Sequence, residues 1–538
     1  MIQIDILNWY EASLSPGERK VRGHFSTPPQ LVEQILDACG YLPDRDLSCI
    51  RVLDPACGSG NFLGAVTRRL AASREQRGTG QRVLLRSVQR NIWGFDTDPI
   101  ACFLAETQVR MALMQSSIPV RKQHFHIHQA DGLAFPWEQG ETVDLFLANP
   151  PYLAAKNNDL SIYRSTHKKG QADSYLLFLE LALQTVRPDG WIGLVLPDPV
   201  LARTNATLAR QRLLKETTVH HLWHLSGVFA AYVGATVLIA QKRAPARTHQ
   251  IAWIRGQSSY AAEPKDAAAM QKQGQVSQAF LSIQPAAELR YLLSDRTDEL
   301  VHRLHTDFCL AANTGRPASL QPLSELVSVR RGEELGKGSP VLQHKLSNRH
   351  KEYPVLRGGV DVRPYEIPVG QCWIARERVV KPLERYLSPK LLIVKSTGRL
   401  QATLDLQGHI VLQTLYLLNL RLAAANALDE LYFLLALLNS RLLREYVYVL
   451  STAYKWVQPQ IEQHVLAQLP IPMTNRELRL QVSKRAKLLM HACSPETAVV
   501  ELKEQEIYEE QERDICKLYA TALEEGRLRL SSLSFSVG

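Results

Sequence analysis

Asn149-Pro150-Pro151-Tyr152 brings together residue types suited to chemistry on a flat ring that carries an amine. The Asn149 amide oxygen and the Pro150 carbonyl can both accept hydrogen bonds from one exocyclic amine, and Tyr152 can stack on the ring. An aromatic amine is a poor nucleophile because its lone pair is delocalised. Two acceptors that favour a pyramidal nitrogen localise that lone pair as it attacks, which stabilises the transition state more than the ground state. No strong base is needed, because the cationic nitrogen so formed is acidic and loses its proton afterwards. The tetrad ends the apolar run Val143-Asp144-Leu145-Phe146-Leu147-Ala148, which reads as a buried strand.

Three carboxylates stand at the ends of earlier candidate strands. Asp54 opens Asp54-Pro55-Ala56-Cys57-Gly58-Ser59-Gly60-Asn61, directly after Val52-Leu53. Glycines there permit a tight turn and close approach of a ligand. The segment has neither the full dinucleotide fingerprint nor a Walker lysine, so a ligand with an uncharged linker is favoured over a nucleotide phosphate. Asp96, in Gly94-Phe95-Asp96-Thr97-Asp98-Pro99, can take a ribose diol through paired charge-assisted hydrogen bonds, whereas Asp98 before Pro99 suits a helix cap. Asp131, in Ala130-Asp131-Gly132, can accept the amino group of an adenine. Singly, each aspartate is an ordinary turn residue; in order at successive strand ends they describe a binding site.

The elements that must position these groups alternate. Candidate strands at 50–53, 91–95, 124–128, 143–148, 191–196, 221–225 and 236–241 are separated by amphipathic helical stretches such as 174–186. That alternation predicts an α/β fold with a mainly parallel sheet covered on both faces, and ligands then sit at the C-terminal strand ends. Residues 246–319 read as a connecting segment with a helix from Asp298 to about Phe308, capped by Thr297. From 320 to 475 short strands and glycine-punctuated turns predominate, with one buried helix over 428–447. A charged helical tail follows from 476 to 538, interrupted at Ser494-Pro495.

Composition bounds the function class. The 538 residues suffice for two or three domains, and the net charge of +10 suits a polyanionic partner. The eight cysteines show no CxxC spacing, so neither a zinc site nor a disulfide framework is indicated and reduced thiols in a cytoplasmic enzyme are expected. No signal peptide and no membrane span are expected. The histidine sets 124, 126, 128 and 220, 221, 224 are explained by sheet faces, and no metal is expected.

In order, Phe25-Ser26-Thr27-Pro28-Pro29, Asp54 to Gly60, Asp96, Asp131, Asn149-Pro150-Pro151-Tyr152 and Val228-Phe229 make the chain resemble a gamma-class N6-adenine DNA methyltransferase of the TaqI-like group. The resemblance is strong over residues 20–245 or so. It implies a Rossmann-like, S-adenosylmethionine-dependent methyltransferase domain over 1–245, with S-adenosyl-L-methionine as donor and a flipped-out adenine in double-stranded DNA as acceptor. It implies that Thr27 folds over the methionine part of the cofactor, that Asp54, Ala56 and Gly58 line that side, and that Asp96 holds the ribose and Asp131 the adenine amine. It further implies that Asn149-Pro150-Pro151-Tyr152 is the catalytic tetrad, in which Asn149 and the Pro150 carbonyl take the target amine, while Tyr152 and Phe229 pack on the two faces of the target ring. Lys156, in the basic loop after the tetrad, is a candidate DNA contact.

The second half resembles the family less tightly. Pro322 to Val327, Val355 to Val360 and Ser451 to Pro472 look like landmarks of a TaqI-like target-recognition domain, expected as mixed α+β over 320–475 with a C-terminal helical tail. Arg330, Arg331, Tyr454 and Lys455 are candidate DNA contacts. The first motif begins at Phe25, so no nuclease domain is expected ahead of it. By resemblance the chain is a modification component of a restriction-modification or phage-defence system, with a separate restriction or defence subunit as a partner. The tetrad suits any planar amine, so an RNA or protein-glutamine methyltransferase, or a non-catalytic DNA-binding subunit with a methylase fold, stand as alternatives.

Overall fold

The computed structural model describes residues 26–78, 80–116, 123–134, 142–153, 160, 163, 173–228, 234–257, 272–292, 300–301, 303–305, 307–308, 319–346, 351–366, 368–421, 426–452, 460–492 and 501–533. The chain divides into two units, Met1–Ser294 and Asp295–Gly538.

The first unit is built on strands β1 (Val52–Asp54), β2 (Ile92–Asp96), β3 (His126–Gln129), β4 (Val143–Ala148), β5 (Val186–Pro197), β6 (Thr218–Ser226), β7 (Ala235–Gln241), β8 (Gln250–Gln257) and β9 (Lys272–Ser277). They form one sheet in the order β3-β2-β1-β4-β5-β7-β6-β8-β9. β1 is parallel to both β2 and β4, and the chain crosses there from one half of the sheet to the other. That reversal opens a crevice beyond the C-terminal ends of β1 and β4, the usual place for a ligand in such sheets. The apolar runs of β1 and β4 are almost wholly buried, as expected of strands covered on both faces.

Helices α1 (Pro29–Ala38), α2 (Asn61–Gln76), α3 (Gln81–Asn91), α4 (Pro99–Gln115), α5 (Ser174–Thr185) and α6 (Thr207–Glu216) accompany the sheet. α1 starts with proline at its first position, where the missing N–H costs nothing, and buries Leu31, Val32, Ile35 and Leu36. It is tied to α2 through Arg69, which pairs with Glu33 at 2.6 Å and Asp37 at 2.7 Å. The left-handed Gly60 (φ 89°) precedes α2, and a Cβ there would lie 2.5 Å from the Ala105 Cα of α4, so only glycine allows these two helices to pack.

Two features differ from the expected sheet. β7 is antiparallel to both β5 and β6. Only the short segment 227–234 joins β6 to β7, too little for the crossover that a parallel pair needs. The sheet also continues past residue 245, because β8 pairs with β6 and β9 with β8. This part of the expected connecting segment is therefore sheet.

In the second unit β10 (Leu320–Pro322) pairs with a late strand, Pro470–Pro472. β11 (Val327–Arg331), β12 (Glu352–Leu356), β13 (Cys372–Ala375), β14 (Lys390–Val394), β15 (Ala402–Asp405), β16 (Ile410–Val411) and β17 (Leu415–Leu420) make a four-stranded sheet, β11-β17-β14-β15, and a three-stranded one, β13-β12-β16. The single helix expected over 428–447 is two, α7 (Ala427–Asn439) and α8 (Arg441–Val447). Ser440 turns extended between them, and its hydroxyl accepts from the Leu443 N–H as the cap of α8. α9 (Arg476–Ala492) packs on α7 and on α10 (Glu501–Leu533). The expected break at Ser494-Pro495 and the cap Thr297 lie outside the described residues, while residues 300–301, 303–305 and 307–308 are helical. No helix among the described residues is long and apolar enough to cross a membrane.

Candidate active site

A cavity of about 640 Å³ opens at the C-terminal ends of β1, β2, β3 and β4. Thr27, Asp54, Ala56, Gly58, Asp96, Asp131, Asn149 and Pro151 all contribute to its wall. Residues from five separate stretches of sequence thus meet at one place. Among the described residues that line it there is no lysine, arginine or histidine, whereas Asp54, Asp96, Asp98 and Asp131 all face it.

Asp54 is 1% exposed. Burial raises its carboxyl to about 8, Asp96 adds to the rise, and the Ala56 N–H, 3.2 Å from its Oδ1, opposes it. Asp96 ends β2 and accepts from the Gly58 N–H at 2.9 Å and from the Asp98 N–H at 2.9 Å. A carboxylate oxygen accepts more than one hydrogen bond, so these contacts leave Asp96 able to take a ligand as well. Asp98 caps α4 by accepting from the Ile100 N–H at 2.8 Å, the bland role that its place before Pro99 suggested.

Asp131 follows β3. Its Oδ1 accepts from the Leu133 N–H at 2.9 Å, and its Oδ2 accepts from the Tyr163 hydroxyl. Burial, and then that bond to Asp131, raise the Tyr163 phenol to about 12.

The segment carrying Thr27 is fastened by Asn61, the first residue of α2. Its amide donates to the Ser26 Oγ at 2.8 Å and to the Thr27 carbonyl at 2.8 Å, and its own Oδ1 accepts from the Gln108 Nε2 of α4 at 2.9 Å. Gly64, one turn further along α2, leaves room for Gln108, since a Cβ there would lie 2.9 Å from the Gln108 Oε1.

Asn149 and Pro151 reach the cavity wall at the end of β4, Pro150 between them is buried, and Tyr152 is partly buried. The Tyr152 ring packs against the apolar core, and its hydroxyl donates to the Val195 carbonyl of β5 at 3.4 Å. Burial, with a smaller contribution from Asp198, lifts its phenol well above the ordinary value, so it remains protonated.

Arg330 and Arg331 end β11 and are exposed. Lys156, Phe229, Tyr454 and Lys455 lie outside the described residues. His126 and His224 are occupied in packing, whereas His124 precedes β3 and is exposed. His126 stacks flat on Trp93 with ring centroids 3.9 Å apart, and burial lowers its imidazole. His224 is buried between Tyr291, 2.5 Å from its Nδ1, and Asp198, 3.0 Å from its Nε2. Among the described residues no group of three His, Cys, Asp or Glu side chains is arranged to hold a metal.

Asn61, Gln108, Tyr163 and Ser174 escaped the reading of the sequence. Asn61 adjoins the glycine motif, so its position was a usable signal. The others bond to partners far away in the chain, and nothing local marks them.

Residues 4–286 match the family model for N-6 DNA Methylase, and residues 353–471 match that for the TaqI-like C-terminal specificity domain. The Type II methyltransferase M.VspI of Vibrio sp. (strain 343) is 26% identical over 192 residues, 35% of this chain and 40% of that protein. The Type II methyltransferase M.XhoI of Xanthomonas vasicola is 28% identical over 191 residues, 33% of this chain and 34% of that protein. The chain therefore spans less than half the length of these curated relatives. The Type IIL restriction-modification enzyme MmeI, solved in complex with DNA, matches with a TM-score of 0.63 at 13% identity, over 96% of this chain and 78% of that one, a likeness of fold. The N-6 methylase model takes in more than half of the residues and all the aspartates and both asparagines on the cavity wall, and on that match the chain belongs to the N-6 DNA methylase family.

Proposed function

We propose that this protein is a site-specific DNA adenine-N6 methyltransferase that uses S-adenosyl-L-methionine, and that it serves as the modification component of a restriction-modification or phage-defence system. The observation that carries this is the presence of Asn149 on the same cavity wall as Asp54, Asp96 and Asp131. The donor set fits the cofactor: carboxylates without a basic residue suit a cationic ligand with a ribose and an amino group, and repel a polyphosphate. When bound, S-adenosylmethionine supplies an electrophilic methyl group.

In this reading Asp96 holds the ribose hydroxyls, Asp131 the adenine amine, and Asp54 with Thr27, Ala56 and Gly58 the methionine end. An adenine inside a duplex cannot present N6 to this cavity, so it has to leave the stack. Asn149 and the Pro150 carbonyl then accept its two N–H groups. Pro151 is unsuited to that task, because its carbonyl already accepts from the Ser174 hydroxyl and from the Leu153 N–H at 3.1 Å. Tyr152 and Phe229 hold the faces of the ring. The developing positive charge on N6 is met by two fixed acceptors, and orientation supplies much of the remaining acceleration.

A second unit that matches a specificity domain favours DNA over RNA or protein glutamine as substrate. Arg330 and Arg331, with Lys156, Tyr454 and Lys455, are proposed to contact the duplex, where backbone contacts set affinity and register. A separate restriction or defence subunit is the proposed partner. The test is transfer of label from methyl-labelled cofactor to DNA, RNA and protein in parallel, followed by sequencing of the modified adenines. Asn149→Ala is expected to abolish transfer to DNA while cofactor affinity stays within about threefold, as for a group that acts mainly in the transition state. Wild-type activity in that variant, or label found in RNA or protein alone, defeats the assignment.

A further inference from the structure

We propose that Ser174 is the positioning residue for the Asn149–Tyr152 turn: its single hydroxyl brackets Tyr152 and fixes the orientation of the catalytic loop. This rests on the methyltransferase reading above and adds to it a residue outside the recognised motifs.

Ser174 is the first residue of α5 and is 2% exposed. The capping position before it is Asp173, so the Ser174 hydroxyl is not called on to satisfy the N–H groups of the first turn. Here the hydroxyl is turned away from the helix. It donates to the Pro151 carbonyl, and its oxygen accepts from the Leu153 N–H at 2.9 Å. The Ser174 backbone N–H donates to the Leu153 carbonyl at 3.0 Å. Tyr152 therefore sits between two peptide groups that are both held by one residue.

The tie has two consequences. It anchors irregular backbone to a rigid body, because α5 is buried along almost its whole length and packs on β4 and β5. It also consumes the hydrogen-bonding capacity of the Pro151 carbonyl, so that carbonyl is not the acceptor for the substrate amine. The anchor is itself braced, since the preceding Asp173 accepts from Arg203 at 3.1 Å and from Asn205 at 3.3 Å. An acceptor pair must stay within a fraction of an ångström of its productive geometry, and a small misplacement lowers the rate without touching binding.

The experiment compares single-turnover methyl transfer at saturating cofactor and DNA in wild-type protein, Ser174→Ala, Ser174→Cys and Ser174→Thr, together with both dissociation constants. Ser174→Ala is expected to slow transfer by about 10- to 100-fold with both dissociation constants within about threefold of wild type. Ser174→Thr, which keeps the hydroxyl, is expected to restore the rate to within about fivefold. Ser174→Cys keeps the volume but weakens the donor; it is expected to be slow, so the test survives even if the alanine variant misfolds. Wild-type rates in the alanine or cysteine variant overturn the proposal. So does a threonine variant as slow as alanine, or a defect confined to the dissociation constants. An inactive wild type defeats the methyltransferase reading instead, so the two failures are distinguishable.

Discussion

Binding of S-adenosylmethionine is expected to expel nearly one proton from Asp54. The carboxyl of Asp54 is held at about 8 in the free protein, chiefly by burial and further by Asp96. At pH 6.5 it is therefore almost fully protonated, while the α-amino group of the cofactor is still an ammonium, with an ordinary value of about 7.7–8.0. An ammonium placed beside Asp54 favours the carboxylate, so the proton has to leave. Between pH 5 and 7 the affinity is then expected to rise by about tenfold per pH unit.

The assay is isothermal titration calorimetry at pH 6.5 in buffers of differing ionisation enthalpy. The slope of the observed enthalpy against buffer enthalpy gives the protons released, expected close to one for wild type and close to zero for Asp54→Asn. A slope near zero in the wild type refutes the reasoning, as does an equal slope in the variant. The same shift governs the stability of the free protein. Between the ordinary 3.8 and about 8 the folded chain keeps a proton that the unfolded chain gives up. Stability therefore falls as pH rises through that window, by at most about 1.4 kcal/mol per pH unit.

Other perturbations address the supports of the site. Asn61→Ala removes both donors that fasten Ser26 and Thr27, and is expected to weaken cofactor binding by about tenfold, the equivalent of one net hydrogen bond, measured by the same calorimetry. In the second unit Lys390 and Asp405 form a buried pair at 2.5 Å, and Lys390→Met is expected to cost about 3–5 kcal/mol in urea unfolding by leaving Asp405 charged and short of a partner. Burial pushes the Asp405 carboxyl up, but its His409 and Lys390 donors outweigh this and hold it at about 2. Its contribution is therefore present above the ordinary 3.8 and is lost as pH falls towards 2, a loss that acid titration of wild type against the variant resolves.

The sequence made the strand ends legible because each is a local event: an apolar run stops and a carboxylate or amide follows. Asp54, Asp96 and Asn149 are legible in that way, and Asp131 follows the alternating run His126-Ile127-His128-Gln129; all four meet at one cavity. β8 carried a readable signal in the burial of Ile251 and Trp253 two residues apart, which the polar surroundings obscured. β9 carried almost none, since it is an edge strand with Val276 alone fully buried. The break at Ser440 was hidden within a continuous apolar pattern, because α8 buries Leu442, Leu443, Tyr446 and Val447 just as a continued helix would.

The ties that hold the site belong to another class. Ser174 reaches back to Pro151, Gln108 to Asn61, and Tyr163 to Asp131, each across a crossing in the fold. A serine, a glutamine or a tyrosine carries no periodicity, and its partner is decided only when the elements pack. The distinction matters for the chemistry. The locally legible residues supply charge and acceptors, and they bring a cost: Asp54 near Asp96 without a cation resists ionisation, which weakens the free fold near neutral pH. A cationic ligand such as the proposed cofactor is expected to remove that penalty, so that preference for a cation and stabilisation by it would share one cluster of aspartates. The long-range ties are expected to hold different parts of the site, and this separates their effects: loss of an aspartate, or of the Asn61 tie to Thr27, should appear in binding, and loss of Ser174 in rate.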